Sequence, residues 1–531
     1  MAYLLHQLIE KQAQQRPQHI ALLYRDQALD YQTLWTECLA FAAGLRRKGL
    51  SAGERVAIWL PKQLEAVVAI FGSSAATATF VPVNPLLKPK QLLYILQHCK
   101  VRVLVTSRQR LASLQALLAS CPDLKLSIVV DEMSAEDCEA YPIPVMLWSK
   151  FLDSYCDVAY QQAIDADIAA IFYTSGSTGA PKGVVLSHRN LIVGAESVSN
   201  YLENSPDDRV LALLPLSFDA GFSQLSTMFL VGGTAVLMDY LLPRDVLRAL
   251  AKYEITGLAA VPVIWNHLAN LDWPADASRP LRYITNTGGA MPTATTKALA
   301  KHLPACRIFL MYGLTEAFRS TYLPPEQVAI RPDSIGKAIP NAQIMVVNAD
   351  GEECAPGEVG ELVHRGALVS LGYWNDPETT ALRFRPSPGQ PAELCTAELA
   401  VWSGDQVRKD SEGYLYFVSR KDDMIKTSGY RVSPSEVEEV IYTVGGVVQA
   451  LALGLPHSAL GQAILALVTI ESNRESSQMK EAIQLHCRQE LPNFMVPLDI
   501  LVLEQLPANP NGKLDRKSLA AQYSSYFQEL Q

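Results

Sequence analysis

The stretch YTSGSTGAPKG, residues 173–183, follows without a break on the apolar run IAAIF, residues 168–172. A short continuous apolar run bounded by turn residues reads as a buried strand. The loop it feeds carries four Ser/Thr hydroxyls and three glycines in eleven positions. Such a segment leaves backbone N–H groups open to close approach by a polyanion, and Lys182 ends it with a positive charge. Gly/Ser stretches are most often flexible surface loops. Here a buried strand leads in and a lysine closes the far side, which favours phosphate binding. It is not a Walker loop, because Pro181 precedes Lys182 and Gly183 follows it where Ser or Thr is required.

Working outward, short apolar runs alternate with helix-length segments through the first 320 residues: RVAIWLP from Arg55, VRVLVTS from Val101, LSIVV from Leu126, RVLALLP, TAVLMD, GLAAVPV, RYITNT and RIFLMYG. This rhythm predicts parallel sheets covered by helices on both faces. Ligands of such sheets sit where loops leave the carboxyl ends of strands, here after Tyr173, Pro215, Thr285 and Tyr312. The stretch AVVAIFGSSAATATFVPV, ending near Pro82, reads as one buried helix. After about residue 330 the pattern changes to period-two alternation punctuated by glycine, in AQIMVVNADGEECAPGEVGELVHRG and again over 413–432, which predicts antiparallel strands. A Ser-Pro-Ser-Glu helix start follows at Ser433, and the last hundred residues read as a compact α+β unit. The charged cluster RKDD, Arg420–Asp423, marks the boundary, giving units 1–421 and 422–531.

The 531 residues are 49% hydrophobic and 19% charged, which excludes disorder over most of the chain. The net charge of −9, without a basic block, speaks against nucleic-acid binding. Nine cysteines, odd in number and with no CxxC pair, read as reduced thiols of a cytoplasmic protein rather than disulfides or a zinc site. No signal peptide and no membrane span are expected, since no apolar run reaches the ~20 residues a span needs.

Three further segments carry chemistry. In MYGLTEA, 311–317, Thr315 offers a hydroxyl for phosphate oxygens and Glu316 a hard oxygen for Mg²⁺, although such a turn alone is most often a helix cap. In SGDQVRKDSEGYLYFVSRKDDMIKTSGYR, Asp405 suits ribose hydroxyls and Arg420 suits ribose or phosphate; alone this would be a solvated hairpin. In LPANPNGKLDRKSL, an Asn-Pro-Asn-Gly turn presents Lys513 at a loop tip.

These four segments, in this order and along essentially the whole chain, resemble the adenylate-forming superfamily. That group comprises acyl-CoA synthetases, nonribosomal peptide synthetase adenylation domains and beetle luciferases. The resemblance implies a large N-terminal domain of two flavodoxin-like βαβ sheets and a small β-barrel, with a small mobile α+β C-terminal domain. It implies that ATP and Mg²⁺ are used. Thr174, Ser175, Gly176, Ser177, Thr178, Gly179 and Lys182 would embrace the triphosphate, Tyr312 would stack near adenine, and Thr315 would touch the α-phosphate. Glu316 would help to hold Mg²⁺, and Asp405 would bind the ribose hydroxyls with Arg420 beside it. Asp422 matches the hinge, Lys513 the lysine bridging carboxylate and α-phosphate, and Lys426 and Gly429 the face used for thiol transfer.

The segment PLSFDAGFSQL, 215–225, addresses the substrate. Fatty and aryl CoA ligases tend to have histidine after the aromatic; this chain has Phe218-Asp219, like amino-acid-activating domains whose aspartate pairs with the α-ammonium. A buried ammonium requires such a partner; the bland alternative is that Asp219 caps the next helix. The same likeness puts Ala220, Ser223, Thr287, Gly288, Met311, Arg319 and Ser320 near the side-chain pocket, with Trp265 and Val263 as further walls. The mostly uncharged walls imply a compact, largely apolar side chain; Arg319 is out of place in that picture, and the sequence leaves open whether it points outward. The chain resembles stand-alone ligases that charge L-proline onto a prolyl carrier protein, including that of the anatoxin route. The implied partner is the phosphopantetheine thiol of a separate carrier protein; the alternative is an AMP-forming acyl-CoA synthetase acting on a small carboxylic acid. A phosphotransferase and a catalytically silent nucleotide binder are the other classes considered.

Overall fold

The computed structural model describes residues 2–153, 162–174, 181–391, 393–420, 425–427, 430–457, 460–491, 493–508 and 514–528; for residues 420, 426, 430 and 431 it describes the backbone alone. Its described strands form three sheets. A seven-stranded sheet runs in the order Val145–Leu147, Leu126–Val129, Val101–Thr106, Arg55–Trp59, Thr79–Pro82, Ile168–Thr174 and Lys182–Ser187. All neighbours are parallel except the last pair, an antiparallel hairpin in which Thr174 faces Lys182.

In the second sheet, the parallel core is Arg307–Tyr312, Tyr283–Asn286, Gly257–Ala260, Arg209–Ala212, Thr234–Leu237 and Ile20–Tyr24. Beyond Arg307–Tyr312 the pairing continues through antiparallel strands Thr321–Leu323, Ser334–Ala338, Leu415–Arg420, Leu399–Lys409, Val359–Gly366 and Ala342–Val347. A third sheet gathers Tyr430–Val432, Ile425–Thr427, Gly461–Ile470, Val447–His457 and Asp499–Val502. The large mixed α/β part and the small C-terminal part are those expected. The run 413–432, expected as one antiparallel stretch, divides between two sheets: the chain leaves the second at Arg420 and enters the third at Ile425.

One local expectation is corrected. The stretch expected as a single helix is helix Leu64–Ala75 followed by strand Thr79–Pro82. Thr77 adopts φ +61° and the Ala78 N–H donates to Ser73 O at 2.9 Å, so the helix is closed before strand Thr79–Pro82 begins. Ser433 likewise precedes helix Pro434–Tyr442 without capping it; its hydroxyl donates to Val418 O, tying the helix start to the second sheet.

The two large sheets meet around helix Asp219–Val231. Phe222, fully buried, lies with ring centroids 6.1, 5.6 and 5.8 Å from Phe71, Phe80 and Phe172, all three from the seven-stranded layer. Gly221 lets this helix start press on the preceding turn, because a Cβ there would lie 1.9 Å from Pro215 O. A second tie is ionic. The buried Lys62 ammonium donates to Leu213 O at 2.5 Å and Leu214 O at 3.3 Å, with Asp239 Oδ1 at 3.8 Å.

Burial pushes the Lys62 amine down to about 8 from its ordinary 10.5, while Asp239 opposes the shift. Between those two values the unfolded chain binds more protons than the folded one, so stability contributed through this group rises with pH. The difference in urea midpoint between the wild-type chain and Lys62→Met is therefore expected to widen in favour of wild type from pH 8 to pH 10.5. A difference that stays flat across that window rejects the assignment.

Candidate functional site

Four parallel strands of the second sheet deliver their carboxyl ends to one edge, because consecutive pairs run in the same direction and in step: Val210 beside Gly257, Asn286 beside Ala260 and Leu310. The segments leaving that edge are 213–219, 261–265, 287–289 and 313–320, which contain most of the candidates drawn from the sequence. Trp265 braces the edge rather than lining a pocket. It is fully buried, and its Nε1 donates to Ala260 O at 3.1 Å and Thr285 O at 3.2 Å, joining two strand ends. Thr287 adds a third link through its N–H to Ala260 O at 3.2 Å, and Gly288 turns the chain there at φ +81°.

The nucleotide-side candidates fall into two bonded groups. Tyr312, the last residue of its strand, donates through Oη to Asp405 Oδ2 at 2.5 Å. Asp405 is 5% exposed and faces Arg420 across adjoining antiparallel strands. The residue expected beside adenine and the one expected on the ribose thus adjoin. In the second group, Glu316 lies in the single turn Thr315–Ala317 and its Oε1 accepts the Tyr373 hydroxyl at 2.6 Å. Burial, and then the Glu316 charge, push the Tyr373 phenol well above its usual value, so it remains a donor. The Lys182 ammonium lies 5.5 Å from the centroid of the same ring, donates to Thr379 Oγ1 at 3.0 Å and is 3.8 Å from Asp376 Oδ2. Burial opposes the ionisation of Asp376, but hydrogen bonds from Thr379 and the Lys182 charge outweigh it and lower its pKa.

The segment 174–182 connects two strands that pair antiparallel, Ile168–Thr174 and Lys182–Ser187. Its residues Ser175, Gly176, Ser177, Thr178 and Gly179, together with Asp422, Gly429 and Lys513, lie outside the described residues, as do the side chains of Arg420 and Lys426. Thr174 and Lys182 flank the loop as register partners. Tyr373, Asp376 and Thr379 went unforeseen. Asp376-Pro377 is legible as a cap with proline at the first helical position, and Asp376 does accept from Thr379 N at 3.0 Å. Tyr373 carries no chemical signal in a run of apolar residues and glycine.

On the substrate side, Asp219 is the first residue of its helix, but Phe218 occupies the cap position, and among the described residues Asp219 Oδ1 accepts only from the neighbouring Ala220 N, at 2.7 Å. Ser223, one turn on, is buried, as are Thr287 and Met311; the Met311 sulfur accepts the Tyr201 hydroxyl at 3.5 Å. Arg319, whose direction the sequence leaves open, points inward. It is 5% exposed, and its Nη1 stands 3.7 Å from Asp219 Oδ2. The cause is local: Phe318, at φ +57°, buries its ring against Gly194, and Ser320 N returns to Tyr312 O at 3.1 Å.

The donor chemistry at Glu316 fits Mg²⁺. Among the described residues no group of three or more His, Cys, Asp or Glu side chains gathers as an all-protein cage. Mg²⁺ is ordinarily held by one or two carboxylates and completes its shell with waters and nucleotide phosphates. Among the described residues no helix is long and apolar enough to cross a membrane.

The parallel sheet thus carries a phenol–carboxylate pair and a carboxylate–phenol–lysine group at its carboxyl edge. Residues 9–374 match the AMP-binding enzyme family and residues 436–513 the AMP-binding enzyme C-terminal domain. The chain belongs to that family, whose ATP-dependent chemistry forms an adenylate from a carboxylate. It is similar to tyrocidine synthase 2 of Brevibacillus parabrevis, 30% identical over 97% of this chain and 14% of the synthase. Gramicidin S synthase 2 of Aneurinibacillus migulanus is 28% identical over 97% of this chain and 11% of the synthase. The chain thus spans roughly an eighth of the length of these relatives. Among solved structures, the anthranilate CoA ligase AuaEII bound to anthranoyl-AMP superposes with TM-score 0.88 at 25% identity, over 98% of this chain and 97% of that one. ATP-bound MatB from Rhodopseudomonas palustris shares the fold, with TM-score 0.85 at 22% identity over 98% and 99% of the two chains.

Replacing Tyr373 with Phe keeps the ring beside Lys182 and removes one hydrogen bond to a charged carboxylate, worth about 1.5–3 kcal/mol. The expected result is a fall of about 10- to 100-fold in kcat/KM for adenylate formation, with more Mg²⁺ needed for half-maximal rate. Unchanged kinetics would show that Glu316 is positioned without it.

Proposed function

We propose that the chain activates an amino acid as aminoacyl-AMP with release of pyrophosphate and then passes it to the phosphopantetheine thiol of a separate carrier protein. The reading rests on one observation: the Tyr312–Asp405 pair, the Lys182–Tyr373–Glu316 group and the partly buried Asp219 converge on one sheet edge. A carboxylate is a poor electrophile; its oxygen attacks the α-phosphorus of ATP, pyrophosphate leaves, and a mixed anhydride results. Asp405 with Tyr312 would receive the ribose, with Arg420 beside it. Thr174, the 175–179 loop and Lys182 would face the triphosphate, and Thr315 the α-phosphate. Glu316 would hold Mg²⁺, which when bound neutralises phosphate charge. Lys513 would enter from the C-terminal unit to let two anions meet, and that unit, 422–531, would turn about Asp422 to present Lys426 and Gly429 for thiol transfer. Asp219 would pair with the α-ammonium.

L-Proline is the amino acid to which the resemblance points, and Asp219 supports it; the buried charge of Arg319 weighs against an apolar side chain. Free CoA as the acceptor is the second reading, favoured by the likeness to the anthranilate CoA ligase.

Substrate-dependent pyrophosphate exchange over a panel of amino, aryl and fatty acids tests the reading, with release of pyrophosphate rather than ADP expected. Lys513→Ala is expected to lower exchange by at least about 100-fold while nucleotide binding survives. Equal exchange in that variant overturns the role of Lys513, and exchange with a fatty acid but no amino acid overturns the substrate class.

A further inference from the structure

The buried Arg319 and the partly buried Asp219 form a charge pair that is incomplete by itself. The 3.7 Å separation of Nη1 and Oδ2 is longer than a hydrogen bond. Nη1 also donates to Phe318 O at 3.2 Å, whereas Nε is buried and, among the described residues, has no partner. Asp219 in turn gives Oδ1 to the Ala220 N–H. Burying a guanidinium with an unsatisfied N–H is unfavourable by an amount that packing alone does not return. The planar fork of arginine is shaped for a carboxylate.

The charges can be counted for each kind of substrate. An amino acid with one carboxylate must send that group to the α-phosphate; its ammonium then joins Asp219 and leaves the site with an excess positive charge and an idle Nε. An amino acid with two carboxylates resolves both difficulties. One carboxylate reacts, the ammonium meets Asp219, and the second carboxylate takes the Arg319 fork. We propose that the substrate is a dicarboxylic amino acid whose non-reacting carboxylate is held by Arg319, the specificity-determining residue of the pocket. This rests on the amino-acid reading above and replaces its apolar side chain with an acidic one. The reaction is unchanged: one oxygen–phosphorus bond forms, pyrophosphate departs, and the second carboxylate stays ionised throughout.

The test measures pyrophosphate exchange by the full chain with L- and D-aspartate, L-glutamate, the amides L-asparagine and L-glutamine, L-proline and a fatty acid. A dicarboxylic amino acid is expected to exceed its amide and proline by at least about 100-fold in kcat/KM, because a site with buried polar groups rejects analogues that leave them unpaired. Arg319→Ala is expected to lower kcat/KM for that acid by about 100-fold or more and to raise it for the amide, since Asp219 then faces the ammonium alone. Nucleotide affinity measured in the same preparation checks folding. Arg319→Lys, which keeps charge but loses the fork, is expected to retain the acidic preference at reduced kcat/KM. Preference for proline or another amino acid with one carboxylate overturns the role of Arg319 and leaves the amino-acid reading standing. Exchange with the fatty acid alone, or with nothing in a preparation that binds ATP, overturns both.

Discussion

The phenol of Tyr373 holds the positive and negative arms of the nucleotide side at a fixed separation. Its hydroxyl reaches Glu316 and its ring lies beside Lys182, so one side chain joins two segments that are distant from it in the chain. Among the described ion pairs, Lys182 is engaged with Asp376, so the Glu316 charge is not spent on it. Two opposite charges so close would otherwise be drawn together in a half-buried site. A neutral donor interposed between them keeps the carboxylate oriented and the ammonium directed along its own hydrogen bond to Thr379. The rest of the edge, from the Tyr312–Asp405 pair to the Trp265 brace, maintains the frame in which that spacing has meaning.

Much of this was legible in the sequence because the parallel strands are short, apolar and separated by helices, and their carboxyl ends must host the polar loops. Tyr312 ends such a strand and Glu316 follows it directly, so position and chemistry coincide there, whereas Lys182 opens an antiparallel strand and Asp405 lies inside another. Other features were hidden for physical reasons. Tyr373 acts through its placement, which depends on the third dimension alone. Lys62 looks like an ordinary charge after a strand, yet it is buried and bonded to carbonyls of a different sheet. The helix expected through Pro82 failed because Thr77 adopts a left-handed conformation that no apolar count reveals.

Arg319 is the most instructive case. Read along the chain, an arginine among uncharged walls belongs outside, since lone buried cations are rare. The fold overrides that rule by placing Asp219, a hundred residues earlier, within 3.7 Å. A charge is tolerated inside only with company, and the company here is too distant to complete the arrangement unaided. The same geometry denies Asp219 the helix-capping role, because Phe218 stands at the cap and the carboxylate is turned toward its partner.

Phe318 packs its ring where the helix His188–Leu202 carries Gly194, and a methyl group there would fall 2.4 Å from that ring. The aim of the neighbouring guanidinium is thus dictated from outside the cavity, by a bare patch on a helix behind it. With Arg319 in the role proposed for it, changes in what the enzyme accepts can arise without altering any group that touches the acid, and divergence within this fold has a lever that a comparison of cavity walls alone overlooks.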